Sequence, residues 1–480
     1  MLFSSITFIF IFLPVTLLVY HLLYKRRTAQ NVWLLFVSLI FYAWGEPVNV
    51  LLMIASIFVN WGMGLLVDRS RNDNGRKKLW LMIACVYNIG VLFVFKYLGF
   101  VIDTANMISK KELVVNPKIA LPIGISFYTF QALSYVIDVY RGDIDVERNP
   151  FYVGLYVAFF PQLIAGPIVR YNSIAEQIRN RKGTLIKMSV GTCRFVTGFG
   201  KKILLSNSLA IVADQVFNWS AMGTDNVNTT VVMAWMGALS YTLQIYFDFS
   251  GYSDMAIGLA LMFGFKLEEN FNYPYIAKSV NDFWRRWHIS LTTWFREYVY
   301  IPLGGNRVSN KDKMIRNMFV VWLLTGIWHG ASFNFLFWGL WHFLFQLSER
   351  FFGYDKNNSH PVLMRVYTLL EVMFGWVLFR ASDLYQAGIY LRNMFGLNGN
   401  TFFDDLTSFM LREYWMYLVM GIVFSLPIAP RMNKLLFEHR TGRAESVMTY
   451  IYPFAIMLLF LVSVSYLVRG GYNPFIYFDF

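Results

Sequence analysis

The stretch WLLTGIWHGASFNFLFWGLWHF, residues 322–343, is apolar enough to cross a bilayer, yet it carries His329 close to two glycines, Gly326 and Gly330. An ionised side chain near the bilayer centre costs at least about 2.5–3.5 kcal/mol on insertion scales, so this imidazole is expected to be neutral or partnered. A neutral imidazole can accept a proton from a hydroxyl group. The stretch therefore predicts a membrane helix with a chemically competent histidine.

The two glycines beside His329 have small-xxx-small spacing. That spacing either lets another backbone pack closely or leaves open volume where a substrate can approach. A hydrogen-bonded structural histidine at a helix contact explains the segment equally well. A second histidine, His342 in LWHFLF, has no adjacent glycine and is interpreted as structural.

The composition of the whole chain predicts an all-α polytopic membrane protein. Of its 480 residues, 56% are hydrophobic and 15% are charged, whereas soluble domains carry about 25% charged residues. About 11 to 13 apolar runs occur, and they are interpreted as one integral membrane domain over residues 1–480. The net charge of +13 falls mostly in short loops, where it orients helices and contacts anionic headgroups of the bilayer, so no nucleic-acid partner is expected. The two cysteines lie in apolar surroundings and indicate neither a disulfide framework nor a thiolate metal site.

The apolar runs predict individual membrane spans. They cover residues 4–24, 31–44, 48–67, 79–102, 119–140, 229–247, 253–265, 314–328, 334–347, 363–379, 414–428 and 447–468. Segment 151–169 is interrupted by Pro161, Gly166 and Pro167, which predicts a re-entrant pair of half-helices. An ordinary kinked span followed by a basic external loop is the alternative.

Basic residues set the expected orientation. No basic residue precedes span 4–24 and three follow it, so the span is interpreted as uncleaved, with the N-terminus outside the cytoplasm. The basic loops 68–78 and 431–443 are then cytoplasmic. The C-terminal tail, residues 470–480, is expected on the extracytoplasmic side.

Residues 279–305 show the period of an amphipathic helix lying at the membrane interface. One face carries apolar and aromatic residues together with a histidine: Trp284, Trp287, His288, Leu291, Phe295 and Tyr298. The opposite face carries charged residues: Arg285, Arg286, Arg296 and Glu297. Solvation alone does not explain a histidine on the apolar face, so His288 is a second candidate for chemistry.

A further polar set lies in QIYFDFSGYSDMAIG, residues 244–258. Gln244, Asp248 and Asp254 fall within an apolar segment, and intramembrane carboxylates are functional candidates. They are expected to line or brace a passage, although holding a broken helix explains them equally well. Two carboxylates without further clustered ligands do not form a metal site, so no metal is expected.

Several motifs carry a resemblance to a known family. DFWRRWHISLTTWFREYVYIPLGG (282–305) and TGIWHGASFNFLFWG (325–339), with FPQLIAGPIVRY (160–171), closely resemble the membrane-bound O-acyltransferase family in its alginate and peptidoglycan O-acetylation branch. The resemblance covers nearly the whole chain. It implies a helical bundle with re-entrant and amphipathic interfacial helices around a transmembrane tunnel.

The resemblance also implies roles for individual residues. His329 corresponds to the catalytic base, and His288 to a second motif residue that would polarise the carbonyl. Trp328 and Asn334 are expected to line the tunnel. Arg285 and Arg286 are candidates for the phosphates of the donor, although solvated surface arginines explain them too.

By the same resemblance, an acetyl or other small acyl group passes from a cytoplasmic thioester to an extracytoplasmic polysaccharide of the alginate, peptidoglycan or cellulose type. The donor is acetyl-CoA or an acyl carrier protein, and no permanently bound cofactor is expected. A separate SGNH-type acyltransferase on the outer side of the bacterial cytoplasmic membrane is the expected partner.

The end of the chain, FIYFDF (475–480), resembles the terminal motif of a small membrane partner in teichoic-acid D-alanylation, which implies Tyr477 as an acyl carrier. An aromatic interfacial anchor is the alternative. For the whole chain, a transporter or flippase with His329 as a proton relay, or an acyltransferase acting on lipid or protein, are the competing functions.

Overall fold

The computed structural model describes residues 1–222, 229–308, 310–353, 360–428, 430–431, 442–470, 472–474 and 476. Over these ranges the chain is helical and contains no β-strand, which confirms the all-α prediction. It divides into two compact units. The first unit comprises Met1–Phe195 and Ser253–Glu268, and the second comprises Val196–Tyr252 and Glu269–Phe480.

The first unit contains a series of helices from the N-terminal half, most of which are apolar. They are α1 (Phe8–Leu22), α2 (Arg27–Ala43), α3 (Asn49–Arg69), α4 (Asn74–Ser109), α5 (Ile125–Arg141), α6 (Pro150–Ala158), α7 (Phe160–Leu163) and α8 (Tyr171–Asn180). Two longer helices follow, each with residues in both units: α9 (Leu185–Ala221) and α10 (Val231–Met262).

The second unit holds the remaining helices. They are α11 (Val280–Trp284), α12 (Ile289–Phe295), α13 (Lys311–His329), α14 (Phe333–Phe352), α15 (Pro361–Arg380), α16 (Leu384–Met394), α17 (Asp405–Ser425) and α18 (Gly442–Val468). Neither α9 nor α16 is predicted by the apolar runs.

Five helices in the described part are long and apolar enough to cross a bilayer: α3, α4, α9, α15 and residues Ile451–Val468 of α18. The protein is therefore a multi-pass membrane protein. The number is smaller than the count of apolar runs because several runs form short helices, such as α1, or begin in charged turns, as α13 does at Lys311.

The predicted spans 229–247 and 253–265 form one helix, α10, which corrects the prediction of two spans. Gly251 lies inside this helix and does not break it. A Cβ atom at Gly251 would lie 2.8 Å from the carbonyl oxygen of Gly198. The glycine therefore permits close helix packing rather than a turn.

The predicted break in segment 151–169 is confirmed. Helix α6 ends at Ala158, Phe159 leaves the helical region with ψ 108°, and only the short helix α7 follows. After α7, Gly166 lies so close to the backbone of Gln162 that no side chain fits there. Whether the segment is re-entrant in a bilayer stays a prediction.

The predicted amphipathic helix over residues 279–305 is wrong as one continuous element. The chain forms α11 and α12 with a reversal between them, where His288 adopts the left-handed conformation at φ 42° and ψ 53°. The cause is Asn270. Its carbonyl oxygen accepts the Ile289 N–H (3.0 Å), and its side-chain oxygen accepts both the N–H (3.2 Å) and the hydroxyl (2.9 Å) of Ser290. These contacts take the place of hydrogen bonds within a helix.

Candidate active site

His329 is the last residue of α13, and Gly330 continues in extended conformation. The imidazole is 5% exposed and is enclosed by three aromatic rings. Trp328, Trp338 and Phe379 meet it edge-to-face, with ring centroids 4.9, 4.8 and 5.1 Å away. The rings hold the imidazole in one orientation, as a catalytic base requires.

The close crossing of α13 and α14 sets the position of His329. A Cβ atom at Gly339 would lie 2.5 Å from the carbonyl oxygen of Trp322 and 3.3 Å from the Cα of Gly326. A Cβ atom at Gly326 would overlap the carbonyl of Phe335, and one at Gly330 would overlap the Phe335 ring. Of the two interpretations of the glycines, close backbone packing is the one that the structure shows.

His288 is buried at 1% exposure, and its Nδ1 lies 3.2 Å from Asn270 Oδ1. That Asn270 atom accepts the backbone N–H of Ser290, so it must be the oxygen, and Nδ1 of His288 must carry the proton. Burial lowers the pKa of His288, which lies outside the candidate spans, to about 3. The ring is neutral at physiological pH, and its Nε2 is an acceptor. Polarisation of a carbonyl by Nε2 would therefore require protonating a ring that burial keeps neutral.

The Trp328 ring lies near both candidate histidines. Its ring centroid is 6.0 Å from that of His288 and 4.9 Å from that of His329. The left-handed turn at His288 and the end of α13 thus bring the two sequence motifs together around one indole. Sequence reasoning predicted both histidines, but not this arrangement.

A cavity of about 510 Å³ lies beside this cluster in the second unit. Three arginines line it, Arg285, Arg296 and Arg350, and apolar residues form much of the remaining wall: Trp284, Leu291, Phe295, Met318, Val321 and Trp322. The cavity reaches Thr325 on α13, one helical turn before His329. A passage that opens His329 to both sides of the membrane stays a prediction.

The two adjacent arginines of the motif separate in the structure. Arg285 lines the cavity. Arg286 instead forms an ion pair with Asp282 at 2.9 Å and donates to the Asn272 carbonyl at 3.3 Å. Only Arg285 of the two is placed to meet a ligand in the cavity.

Glu349 is a site residue that the sequence analysis missed. Its buried carboxylate accepts the N–H groups of Val280 (2.6 Å) and Asn281 (3.1 Å) at the start of α11, and it also borders the cavity. Carboxylates are favoured at helix N-termini because the unpaired N–H groups point toward them. Glu349 thus fastens α14 to α11 and fixes the position of Arg285. An acidic residue within an apolar helix was the available signal.

His342 agrees with its structural interpretation. It is fully buried, and its Nδ1 lies 2.8 Å from Glu371 Oε1. The rings of Trp284, Trp322 and Trp338 surround it at centroid distances of 4.9, 5.4 and 5.0 Å. It supports the aromatic wall behind His329.

The other predicted tunnel residues do not line this cavity. Asn334 donates to the Ala381 carbonyl at 2.6 Å. Asp248 forms an ion pair with Lys202 at 2.6 Å, and Asp254 forms one with Arg194 at 2.8 Å. These two carboxylates belong to different units and act as braces.

Gln244 is buried on α10, where its main-chain carbonyl accepts the hydroxyl of Ser206 at 3.4 Å. Tyr477 lies outside the described residues. Among the residues that the structure describes, no group of three or more His, Cys, Asp or Glu side chains could hold a metal ion.

These features define a helical membrane protein with a buried histidine site beside an arginine-lined cavity. Residues 145–385 match the model of the MBOAT, membrane-bound O-acyltransferase, family. A "Probable alginate O-acetylase" of Pseudomonas putida is 40% identical over 498 residues, and one of Pseudomonas syringae pv. tomato is 45% identical over 528, each alignment covering 100% of both chains. A peptidoglycan O-acetyltransferase of Helicobacter pylori is 32% identical over 526 residues, with 100% of this chain and 98% of that protein covered. The chain belongs to the membrane-bound O-acyltransferase family, and it is an acyltransferase.

Proposed function

We propose that the protein moves an acetyl or other small acyl group from a cytoplasmic thioester across the bacterial cytoplasmic membrane for O-acetylation of an extracytoplasmic polysaccharide. The observation that carries the proposal is the arginine-lined cavity that ends one helical turn from His329. The relatives named for alginate and peptidoglycan O-acetylation support the acetyl group and the polysaccharide. Both chain termini are extracytoplasmic in this proposal.

His329 acts as the general base of the proposed reaction. It takes the proton from the acceptor hydroxyl while that oxygen attacks the thioester carbonyl. The C–O bond forms and the C–S bond breaks, and the departing thiolate takes the proton back from the imidazolium. The rings of Trp328, Trp338 and Phe379 surround the imidazole, so the reacting groups would meet inside a water-poor aromatic enclosure.

The cavity supplies a place for the donor. Its volume of about 510 Å³ is within the usual range for small-ligand sites. Arginines recognise phosphate through paired, charge-assisted hydrogen bonds, so Arg285, Arg296 and Arg350 would hold the phosphates of acetyl-CoA or of an acyl carrier protein. The apolar wall formed by Trp284, Leu291 and Trp322 would accept the arm that leads to the thioester.

On the outer side, a separate SGNH-type acyltransferase would complete transfer to the polysaccharide. A transporter that uses His329 as a proton relay is the alternative from another class. A lipid or protein acceptor is the alternative within the family.

Reconstituted vesicles with acetyl-labelled acetyl-CoA on one side distinguish these functions. The proposed enzyme releases free CoA thiol in proportion to label on an acceptor hydroxyl. A transporter releases no thiol and transfers no label, and that result would overturn the proposal. If label appears only in lipid, or on a protein other than the SGNH-type partner, the acceptor is that lipid or protein and not a polysaccharide.

Arg285→Ala is expected to raise the KM for acetyl-CoA about tenfold with little change in kcat, because one charge-assisted hydrogen bond to a phosphate contributes on the order of 1.5 kcal/mol at a partly solvated site. Arg286→Ala is the matched control, since the neighbouring arginine is engaged with Asp282 outside the cavity wall. Initial rates over a range of donor concentrations give both constants. Equal KM values for the two variants would remove the donor role of Arg285.

If Tyr477 carries the acyl group in transit, the C-terminal peptide gains the mass of one acetyl group after donor loading. A phenol ionises near pH 10, below a sugar hydroxyl, so its ester can pass the acyl group onward. Intact-mass analysis of the peptide during turnover checks this, with Tyr477→Phe as the control because it removes the phenol and keeps the aromatic ring. An unmodified Tyr477 while transfer proceeds would leave the aromatic anchor as the function of the motif.

A further inference from the structure

Hydrogen bonds hold the described part of the C-terminal segment to the second unit. We call residues 472–474 and 476 the tail segment. The Tyr472 hydroxyl donates to Asp214 Oδ2 at 2.8 Å, and Asn207 Nδ2 donates to Asn473 Oδ1 at 3.2 Å. Lys202 Nζ donates to the Pro474 carbonyl, and the Ile476 N–H donates to Asp248 Oδ2 at 3.0 Å. Ile476 itself is buried.

The inner two bonds come from one buried ion pair. Lys202 and Asp248 lie 2.6 Å apart, and their side chains are only 2% and 1% exposed. A buried pair of charges is stable only when further hydrogen bonds complete it. Here a carbonyl and an N–H of the tail segment, two residues apart, provide such bonds. Because both are main-chain groups, the pair recognises the backbone of the segment rather than its side chains.

The hydrogen bond between Tyr472 and Asp214 connects the tail segment to residues near His329. Asp214, which accepts the Tyr472 hydroxyl, also forms an ion pair with Arg380 at 2.6 Å. Arg380 follows Phe379 at the end of α15, and the Phe379 ring packs on the His329 ring. The tail segment is thus tied to the end of the helix that contacts the site of reaction.

We propose that Lys202 and Asp248 are positioning residues, which dock the tail segment and thereby hold it in place for the acyl transfer proposed above. This deepens the proposed function and rests on it only for the activity readout. The pair touches no reacting atom. It fixes the main chain of the tail segment at Pro474 and Ile476.

The double variant Lys202→Met/Asp248→Leu removes the ion pair that binds the tail segment; we call it and the tail variant below the dock variants. It removes both charges together, so no unpaired charge remains buried and the helices can stay packed. Ile476→Pro removes the same contact on the tail segment, because proline lacks the N–H that Asp248 accepts. The control is Arg194→Met/Asp254→Leu, which removes the other ion pair between α9 and α10 and touches no described part of the tail segment.

Two measurements are made on the full-length chain in detergent. Digestion with a carboxypeptidase, followed by mass, reports whether the tail is held. We expect both dock variants to be trimmed past residue 476 at least tenfold faster than the wild type and the control. In the dock variants the rate of acetyl transfer to the acceptor should fall at least tenfold. The rate of hydrolysis of the donor thioester should stay within twofold of the wild-type rate.

Each other outcome counts against the proposal. A tail that stays protected in both dock variants shows that the pair does not hold it. A released tail with wild-type transfer removes the positioning role. A parallel loss of thioester cleavage, transfer and thermal stability assigns the pair a structural role only. Failure of the proposed function gives a different result. In that case a His329→Ala chain with an unaltered tail would transfer acetyl at the wild-type rate.

Discussion

We expect His329→Ala to lower the rate of acyl transfer by a factor of about 100 to 10,000, the usual contribution of a positioned general base. His329 contacts all three rings of the aromatic enclosure formed by Trp328, Trp338 and Phe379, whereas His288 contacts Trp328 and His342 contacts Trp338. Water could replace the base only by entering that enclosure. Thr325 lines the proposed donor cavity and His329 does not, so KM for the donor should change little.

The measurement is single-turnover acetyl transfer, with the thermal unfolding midpoint of the purified protein recorded beside it. Alanine leaves a hole among three rings, and such holes destabilise proteins by about 2–5 kcal/mol for large side chains. His329→Gln therefore accompanies it, because the amide fills most of the volume yet cannot act as a base at neutral pH. Both variants should lose transfer, and the glutamine variant should keep a near wild-type midpoint.

His360→Ala is the control for loss of an imidazole as such, since His360 is exposed at the start of α15. It should transfer at the wild-type rate. Transfer by His329→Gln within tenfold of the wild type would mean that the proton goes elsewhere, and the base would have to be sought among other groups.

The helix positions were largely predictable because most apolar runs are flanked by charged or breaking residues. Of the five described helices that are long and apolar enough to cross a bilayer, α9 was the one not predicted. Lys201, Lys202 and Asp214 interrupt its apolar pattern, and hydropathy counts such residues against a span. In the structure 78% of its most apolar window is buried inside the protein, and Lys202 is neutralised by Asp248 on another helix. A partner distant in sequence cannot be read from local composition.

The turn at His288 was hidden for the same kind of reason. Residues 279–305 have the period of a helix, but Asn270 supplies hydrogen bonds that end it at His288. Asn270 lies eighteen residues before His288 and carries no local mark of that role. The identity of the two histidines came from the motifs, whereas their shared proximity to the Trp328 ring required the tertiary structure.

The difference between Arg285 and Arg286 was partly readable. Asp282 precedes Arg286 by four residues, the spacing at which opposite charges pair on a helix. The sequence therefore contained a reason to treat Arg286 as structural. Nothing in it placed Arg296 and Arg350 in the same cavity as Arg285, because Arg350 arrives there on α14.

The crossing of α13 and α14 gives the second large effect. Gly326→Val should yield no transfer and little folded protein, since even a Cβ atom at this position overlaps the carbonyl of Phe335. That obstacle is backbone in a neighbouring helix, which cannot move aside as a flexible side chain can. Gly326→Ala is the milder change. It should lower the free energy of unfolding by about 1–3 kcal/mol, as overpacking of a tight interior does.

The alanine variant should also lose transfer beyond what its stability explains. Gly326 precedes His329 by one turn of α13, so separating the two helices moves the imidazole relative to Trp338 on α14. A displacement of about 1 Å at a reacting group can lower a rate on the order of a hundredfold. The transfer rate per folded molecule, measured below the unfolding midpoint, separates this loss of rate from the loss of stability.

Gly388→Ala provides the matched control. Gly388 lies within helix α16 of the same unit, and a Cβ atom there would meet nothing within 4 Å. Alanine is favoured over glycine inside a helix, so this variant should gain about 0.5–1 kcal/mol and keep its transfer rate. If Gly326→Ala behaved like Gly388→Ala, the backbones of α13 and α14 would have room to separate without moving His329. The position of the base would then depend on the three aromatic rings alone, and substitutions at Trp338 rather than at the glycines would be the ones that abolish transfer.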